Sequence, residues 1–454
     1  IGEQRQNVDQ STYQWMIASQ EDGTYTAIAS ATDKTYAPTQ EQVGSYLRFD
    51  VTLGGVTISS RPVKIVEKGA TVAPAALYVA LDGNDQDDGS KDAPFATLEA
   101  ARDAIRKYRR AEMIPKGGIT VYLRAGTYHL KKAFMLDFED VATEDKPVTY
   151  TAYPGEEVSI SGGLELDYSK FKPVEGEMKD KLRSADAQRK VLAANLSDLG
   201  MSVPGQYTLQ GNAYVAPMFL YKGQVLDLAR YPNSDSITDW PGCDILNRGY
   251  CTRYPKNDWR QGEGLMKVQY TDPVIDGWKH NLGDVFFSGY WGTEWYGEYV
   301  SMNIDQTAHT LEAKGNTIYG GIVGGKDRRF RAYNVYEEID QPGEWYIDRS
   351  TGMMYLYPLD DGTDADLRTT SLDQNLIISG GAAYTTFKGL TVTGGRKSGF
   401  QISGSDHVMI SDCDINSFEE KAVLLEGGTN NGVLNCHIHH TGTGGVLVTG
   451  SGDM

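Results

Sequence analysis

The chain has 454 residues, among them 51 glycines and 28 tyrosines, and a formal net charge of −18, which allows two or three domains. The acidic balance argues against nucleic acid or an anionic membrane surface as the main partner, and there is no apolar run long enough to span a bilayer. Many turn-forming glycines, many tyrosines and almost no long amphipathic helical pattern predict an all-β protein with an aromatic, carbohydrate-facing surface.

Residues 1–68 open the chain. Tyr13, Trp15 and Ile17 alternate, and Tyr25–Ile28, Thr35–Tyr36 and Tyr46–Val51 follow between DG, DK and GG turns. Short alternating strands of this kind predict a β-sandwich. The run TYQWMIASQEDGTYTAIASATDKTYAPTQEQVGSYLRFDVT resembles the immunoglobulin-like modules of Gram-positive surface and secreted proteins. That resemblance implies a spacer or tether without catalysis, a secreted or cell-surface bacterial protein, and surface attachment through flanking modules. The opening IGEQRQ reads as the interior of a module and the closing VLVTGSGDM as a coil interrupted mid-course, so both ends are expected to be incomplete.

After a linker around VEKGATVAPAA, residues 76–163 change pattern. A strand at 77–81 leads to the acidic turn DGNDQDDGS, and Phe95, Leu98, Ala101, Ile105 and Tyr108 then recur at helical spacing. Thr97 is placed to cap that helix. The strands ITVYLRAGTYHL and PVTYTAYPGEEVSISGG follow. This order resembles the N-terminal cap of bacterial right-handed β-helix enzymes, in which a helix covers the exposed end of the coils. Asp82, Asn84, Asp85, Asp87 and Asp88 raise calcium as a candidate ligand. The loop lacks the glutamate that closes a twelve-residue calcium loop, so a solvated turn is expected, with neither cofactor nor metal.

Across 164–375 no period is visible. Six of the seven tryptophans fall here, among alternating segments such as GEYVSMNID and GEWYIDRSTGMMYLYP, and an inserted β-sandwich or a set of long loops is expected. Cys243 and Cys251 are spaced either to pair across a loop or to stay free.

Residues 376–454 repeat. Phe387, Ile410 and Val433 lie 23 residues apart, as do Leu390, Cys413 and Cys436, and Val392, Ile415 and Ile438. Gly404, Gly427 and Gly450 keep the same step. One period then makes one coil of a right-handed parallel β-helix, with Cys413 over Cys436 as a ladder of small apolar groups.

ARYPN at 229–233, FFSGYWGTEWYGEYV at 286–300 and YNVYEEIDQPGEWYIDRSTGMMYLYP at 333–358 give residues 76–454 a resemblance to glycoside hydrolase family 141. A similar plan occurs in the family 120 β-xylosidases. The resemblance implies a β-helix interrupted by a β-rich insertion, fucosidase or xylanase activity, and catalytic carboxylates on later coils. With only about three coils following the insertion, the decisive pair is expected beyond Met454.

Glycoside hydrolysis needs two carboxyl groups flanking the scissile bond, and stacked coils bring equivalent positions to about 4.8 Å. ISDCDINSFEE carries Asp412, Asp414, Glu419 and Glu420, and the next coil carries His437, His439 and His440. Asp414 aligns with His437 on the outward side. Asp412, Asp414, His437 and His439 are the candidate acid–base residues, and His440 is a candidate contact to sugar. Each of these residues read alone fits a solvated turn. In the insertion, Arg230, Trp291, Glu294, Trp295 and Tyr296 are candidate substrate contacts, because flat rings suit the apolar faces of sugars. Glu344 could join that aromatic wall, whereas Trp345 and Tyr346 read as core. A glycosidase acting on xylan- or fucose-containing glycans is the leading expectation. A polysaccharide lyase or uronate epimerase is disfavoured by the few basic residues on the coils, Lys388, Arg396, Lys397 and Lys421. The third reading is a non-catalytic surface protein that binds glycans.

Overall fold

A computed structural model describes residues 11–65, 73–324, 328–361 and 366–450. The linker at 66–72 and the extreme ends lie outside the described residues.

The 23-residue repeat winds as expected into a parallel β-helix. Its first sheet stacks Ala76–Val79, Ile119–Leu123, Val148–Ala152, Ala383–Lys388, Asp406–Ser411 and Gly432–Leu434. The second stacks Gly126–His129, Val158–Ser161, Thr391–Thr393, Asp414–Phe418 and His437–Thr441. Phe134–Leu136, Ile377–Gly380, Phe400–Ser403, Lys421–Glu426 and Gly444–Thr449 form the third. Phe387 pairs with Ile410 and Ile410 with Val433; Val392, Ile415 and Ile438 stack in the same way. These stacks fill the coil interior, where Tyr150 and Phe387 lie with ring centroids 5.3 Å apart.

The corners repeat too. Gly389, Asp412 and Asn435 adopt φ of +62°, +53° and +52°, one coil apart at the turn from the first sheet to the second. A second left-handed column runs through Gly394, Ser417 and His440 at +84°, +60° and +49°. Short polar side chains tolerate this conformation by bonding locally. Cys413 and Cys436 stack as the period implied, with the Cys413 amide donating to the Cys436 Sγ at 3.5 Å.

The helix Leu98–Arg110 closes the first coils. Leu98, Ala101 and Ile105 pack with Leu77, Val79 and Val121, and the Thr97 hydroxyl accepts from the Ala100 amide at 3.1 Å. Asp85, from the acidic turn, accepts from the amides of Ala96 and Thr97 at 2.9 Å, so that carboxylate is engaged in holding the helix start. Arg106 and Asp140 form a buried ion pair, Nε to Oδ1 at 2.9 Å, that ties the helix to the coil.

Two expectations change. Residues 11–65 form a single antiparallel sheet in which Thr12–Ala18 pairs along Tyr46–Leu53, and Val56–Ser59 and Val63–Lys64 share the opposite edge. Among the described residues a second facing sheet, the mark of an immunoglobulin-like sandwich, is not found. The insertion also differs from a sandwich. It leaves the coils after Ser161 and returns at Ile377, and Gly163–Leu166 pairs antiparallel with Leu367–Thr370 as its stem. Beyond three smaller sheets, one of them built on this stem, six strands close into a barrel in the order Arg328–Tyr333, Gly242–Asn247, Lys267–Tyr270, Thr310–Ala313, Glu298–Asp305, Phe286–Gly289 and back to Arg328–Tyr333. Closure removes both exposed edges, and Trp278, Trp291, Phe287, Phe330 and Met302 fill the core.

Cys243 and Cys251 are free, as are Cys413 and Cys436; the cross-loop disulfide does not form.

Candidate functional site

Alternation along the second sheet separates core from face. Ile160, Val392, Ile415 and Ile438 turn into the coil core, while the intervening positions make two aligned rows. One row is Thr127, Ser159, Thr391, Asp414 and His437; the other is His129, Ser161, Thr393, Asn416 and His439. The first row runs from three hydroxyl-bearing residues to a carboxylate and an imidazole, and the second from an imidazole through two hydroxyls to an amide and an imidazole.

At the late end of these rows the polar groups converge. His437 Nδ1 lies 3.0 Å from Asp414 Oδ2, and His439 Nε2 lies 3.1 Å from Asp414 Oδ1. The Asn416 amide donates to Asp414, and Asn416 is itself held by hydroxyl donors from Thr393 at 2.8 Å and Ser417 at 2.9 Å. Burial pushes against ionisation of Asp414, but the Asn416 amide and the two imidazoles outweigh it and hold the carboxyl below its ordinary range. The His437 and His439 rings stack at 4.3 Å. His440, turned at its left-handed corner, brings its Nδ1 to 2.6 Å from His439 Nδ1. Partial burial and the neighbouring His439 lower the His440 pKa, favouring its neutral ring.

Four of the expected residues, Asp414, His437, His439 and His440, therefore meet. Asp412 does not join them. It occupies the left-handed corner, accepts from the Asn435 amide at 2.6 Å and lies 3.7 Å from Lys388. Glu419 is buried: its Oε1 accepts from the Thr370 hydroxyl at 2.5 Å and lies 3.5 Å from Arg396 Nε. Burial pushes its pKa up to about 7 although Thr370 and Arg396 act against the rise. Glu420 pairs with Lys397 at 2.8 Å.

The insertion candidates fall in several places. Trp291 is 1% exposed and its indole donates to the Glu298 carbonyl, so it belongs to the barrel core and does not face a sugar. Arg230 lies against Asp227 and Asp235 at 3.4 and 3.5 Å. Glu344 accepts from the amides of Asp340 and Gln341, and burial drives its pKa up to about 8. Trp345 and Tyr346 are core residues, as expected. Glu294 and Trp295 are exposed. Trp295 packs on Tyr296 and Tyr319, which in turn meets Tyr254, with ring centroids between 4.9 and 6.1 Å apart. Nearby Trp259 is 82% exposed, with the Arg248 and Arg260 guanidinium groups over its ring.

Sequence reasoning passed over Asn416 and Thr393, although the repeat frame that aligned Asp414 with His437 also aligns Thr393, Asn416 and His439. It also missed Tyr254 and Tyr319, for which no periodic signal exists.

The family model for a right-handed β-helix region matches residues 374–454. An uncharacterized protein of Bacillus subtilis (strain 168), YwoF, is 38% identical over 86 residues, which span 19% of this chain and 15% of that protein. A solved structure named a glycoside hydrolase superposes with a TM-score of 0.58 at 16% identity, covering 83% of this chain and 67% of its own; this likeness concerns the fold. A complex of XylC with xylose aligns at a TM-score of only 0.31 and 12% identity, over 81% of this chain and 54% of its own.

Proposed function

We propose that the chain is a carbohydrate-active β-helix protein, a glycosidase acting on xylan- or fucose-containing plant or host glycans outside the cell. The observation that carries this reading is the Asp414 carboxylate, ionised and oriented by Asn416, His437 and His439 on the outer face of the second sheet. The rows leading to it offer hydroxyl, amide and imidazole groups that match the hydroxyls of a sugar chain lying across the coils. Asp414 and the two imidazoles supply acid–base chemistry, with Asn416 and Thr393 as positioning residues. The fold shared with a solved glycoside hydrolase supports the plan of the molecule. In a two-carboxylate mechanism the second carboxyl group is not among those touching Asp414 in the described residues.

A second reading, glycan binding without turnover, is favoured by one feature, the aromatic cluster on the insertion in which exposed Trp259 and Trp295 flank half-buried Tyr254 and Tyr319. A panel of xylans and fucosylated glycans, assayed for reducing ends and for absorbance of unsaturated uronate, separates the possibilities. New reducing ends without unsaturated product are expected. Retention of glycan with no new ends establishes the binding reading, and unsaturated product establishes a lyase.

A further inference from the structure

Asp414, His437 and His439 differ from an ordinary acid–base pair because two imidazoles compete for one carboxylate. One ligand atom from each of Asp414, His437 and His439, a carboxylate oxygen and two ring nitrogens, lies within 4.8 Å of the other two. The two rings are stacked at 4.3 Å, and each turns a nitrogen toward the same carboxylate. One divalent ion would satisfy both nitrogen lone pairs and the carboxylate together.

We infer that Asp414, His437 and His439 form a zinc site on the outer face of the second sheet. Separations of 3.0 and 3.1 Å between carboxylate oxygen and imidazole nitrogen match the spacing of neighbouring ligands around an ion bonded at about 2.0–2.2 Å. Two imidazoles and one carboxylate suit zinc and its transition-metal neighbours and not calcium, which takes six or more oxygen ligands. With three protein ligands, one position remains for water or a sugar hydroxyl, and the site opens that way because His437 stands largely in solvent. The outer partners are those of a built site. His439 can present Nε2 to the ion while its Nδ1 stays in hydrogen-bond contact with His440 Nδ1 at 2.6 Å. Asp414 is fixed by Asn416, and Asn416 by Thr393 and Ser417. Such second-layer hydrogen bonds set ligand orientation and contribute about 10–100-fold to metal affinity.

The zinc site deepens the glycosidase reading, since a bound water would then serve at the position given above to acid–base chemistry, but it does not depend on glycan turnover. The test is calorimetric titration of ZnCl2 into the untagged, metal-stripped full chain, with CaCl2 as the comparison ion. Wild type is expected to bind one zinc in preference to calcium, His439→Ala and Asp414→Asn to weaken binding by at least about 100-fold, and Asn416→Ala by about 10-fold. His407→Ala, on another sheet, is expected to bind like wild type, and circular dichroism checks that each variant is folded. Absence of zinc binding by wild type, or a folded His439→Ala that binds equally well, overturns the inference. Glycan cleavage that persists without zinc binding removes the metal and keeps the glycosidase; zinc binding without cleavage does the reverse.

Discussion

His439 reaches Asp414 diagonally, with Nε2 3.1 Å from Oδ1, whereas His437 stands directly over it in the adjoining strand. One carboxylate thus receives an imidazole from its own row and one from the neighbouring row, an arrangement that requires the two coils to be in exact 23-residue register. Asn416, in the same row as His439 and two residues further along Asp414's own strand, completes the contact from the side.

Removing Asn416 tests how the carboxylate is held. Asn416→Ala deletes the amide that helps keep Asp414 below the ordinary carboxylate range, so its pKa is expected to rise while the coils stay intact. Carboxyl carbon NMR over a pH series measures this, and an unchanged midpoint would show that the imidazoles alone control Asp414.

Buried glutamates set a pH dependence of stability. Burial raises Glu419 to about 7 and Glu344 to about 8, against an ordinary value of 4.5. The folded protein retains these protons where the unfolded chain has lost them. Their stabilising contribution is therefore complete below about pH 4.5 and is lost as pH rises through 7 to 8. For Glu419 the difference is worth roughly 3 kcal/mol. Melting temperature is expected to fall between pH 5 and pH 8.5, and Glu419→Gln, which never ionises, is expected to flatten that fall. A slope identical in Glu419→Gln and wild type would contradict the assignment.

Gly428 sits at a coil corner with φ of +78°, where an added Cβ would lie 2.0 Å from the Ser405 carbonyl oxygen. Backbone occupies that space, so relaxation must move a whole strand. Gly428→Ala is expected to cost more than about 2 kcal/mol, whereas Gly381→Ala, which meets nothing within 4 Å at φ +86°, should cost about 1 kcal/mol of backbone strain alone. Urea denaturation compares the two, and equal costs would mean that the coil corner gives way.

The four thiols should divide by burial. Cys413 is enclosed in the coil ladder and its pKa is pushed up to about 12, with burial the main cause. Cys251 is also buried. In native protein a thiol-specific disulfide reagent is expected to leave both unmodified, and in denaturant to modify all four. Rapid native labelling of Cys413 would mean that the coil opens on the timescale of the assay.

The coils were legible because their period is rigid. An inward residue such as Ile415 must pack on Val392 and Ile438, so its type is constrained at every turn. The same frame placed Asp414 under His437. Asp412 was misplaced because a strand's alternation does not reveal where the backbone turns left-handed, and the corner redirects that side chain to Asn435. The barrel was hidden for a different reason. Its closure depends on Phe286–Gly289 pairing with Phe330–Tyr333 across some forty residues of chain, and a long-range pairing leaves no local period. That closure carried Trp291 into the core while leaving Trp295, four residues later, in solvent.

Turnover by Asp414→Asn, measured on whichever glycan wild type cleaves and alongside its melting temperature, bears most directly on the role given to this carboxylate. The expected result is a loss of at least about 100-fold in kcat/KM with a melting temperature close to that of wild type. A folded Asp414→Asn that cleaves at the wild-type rate would place the chemistry elsewhere on the molecule.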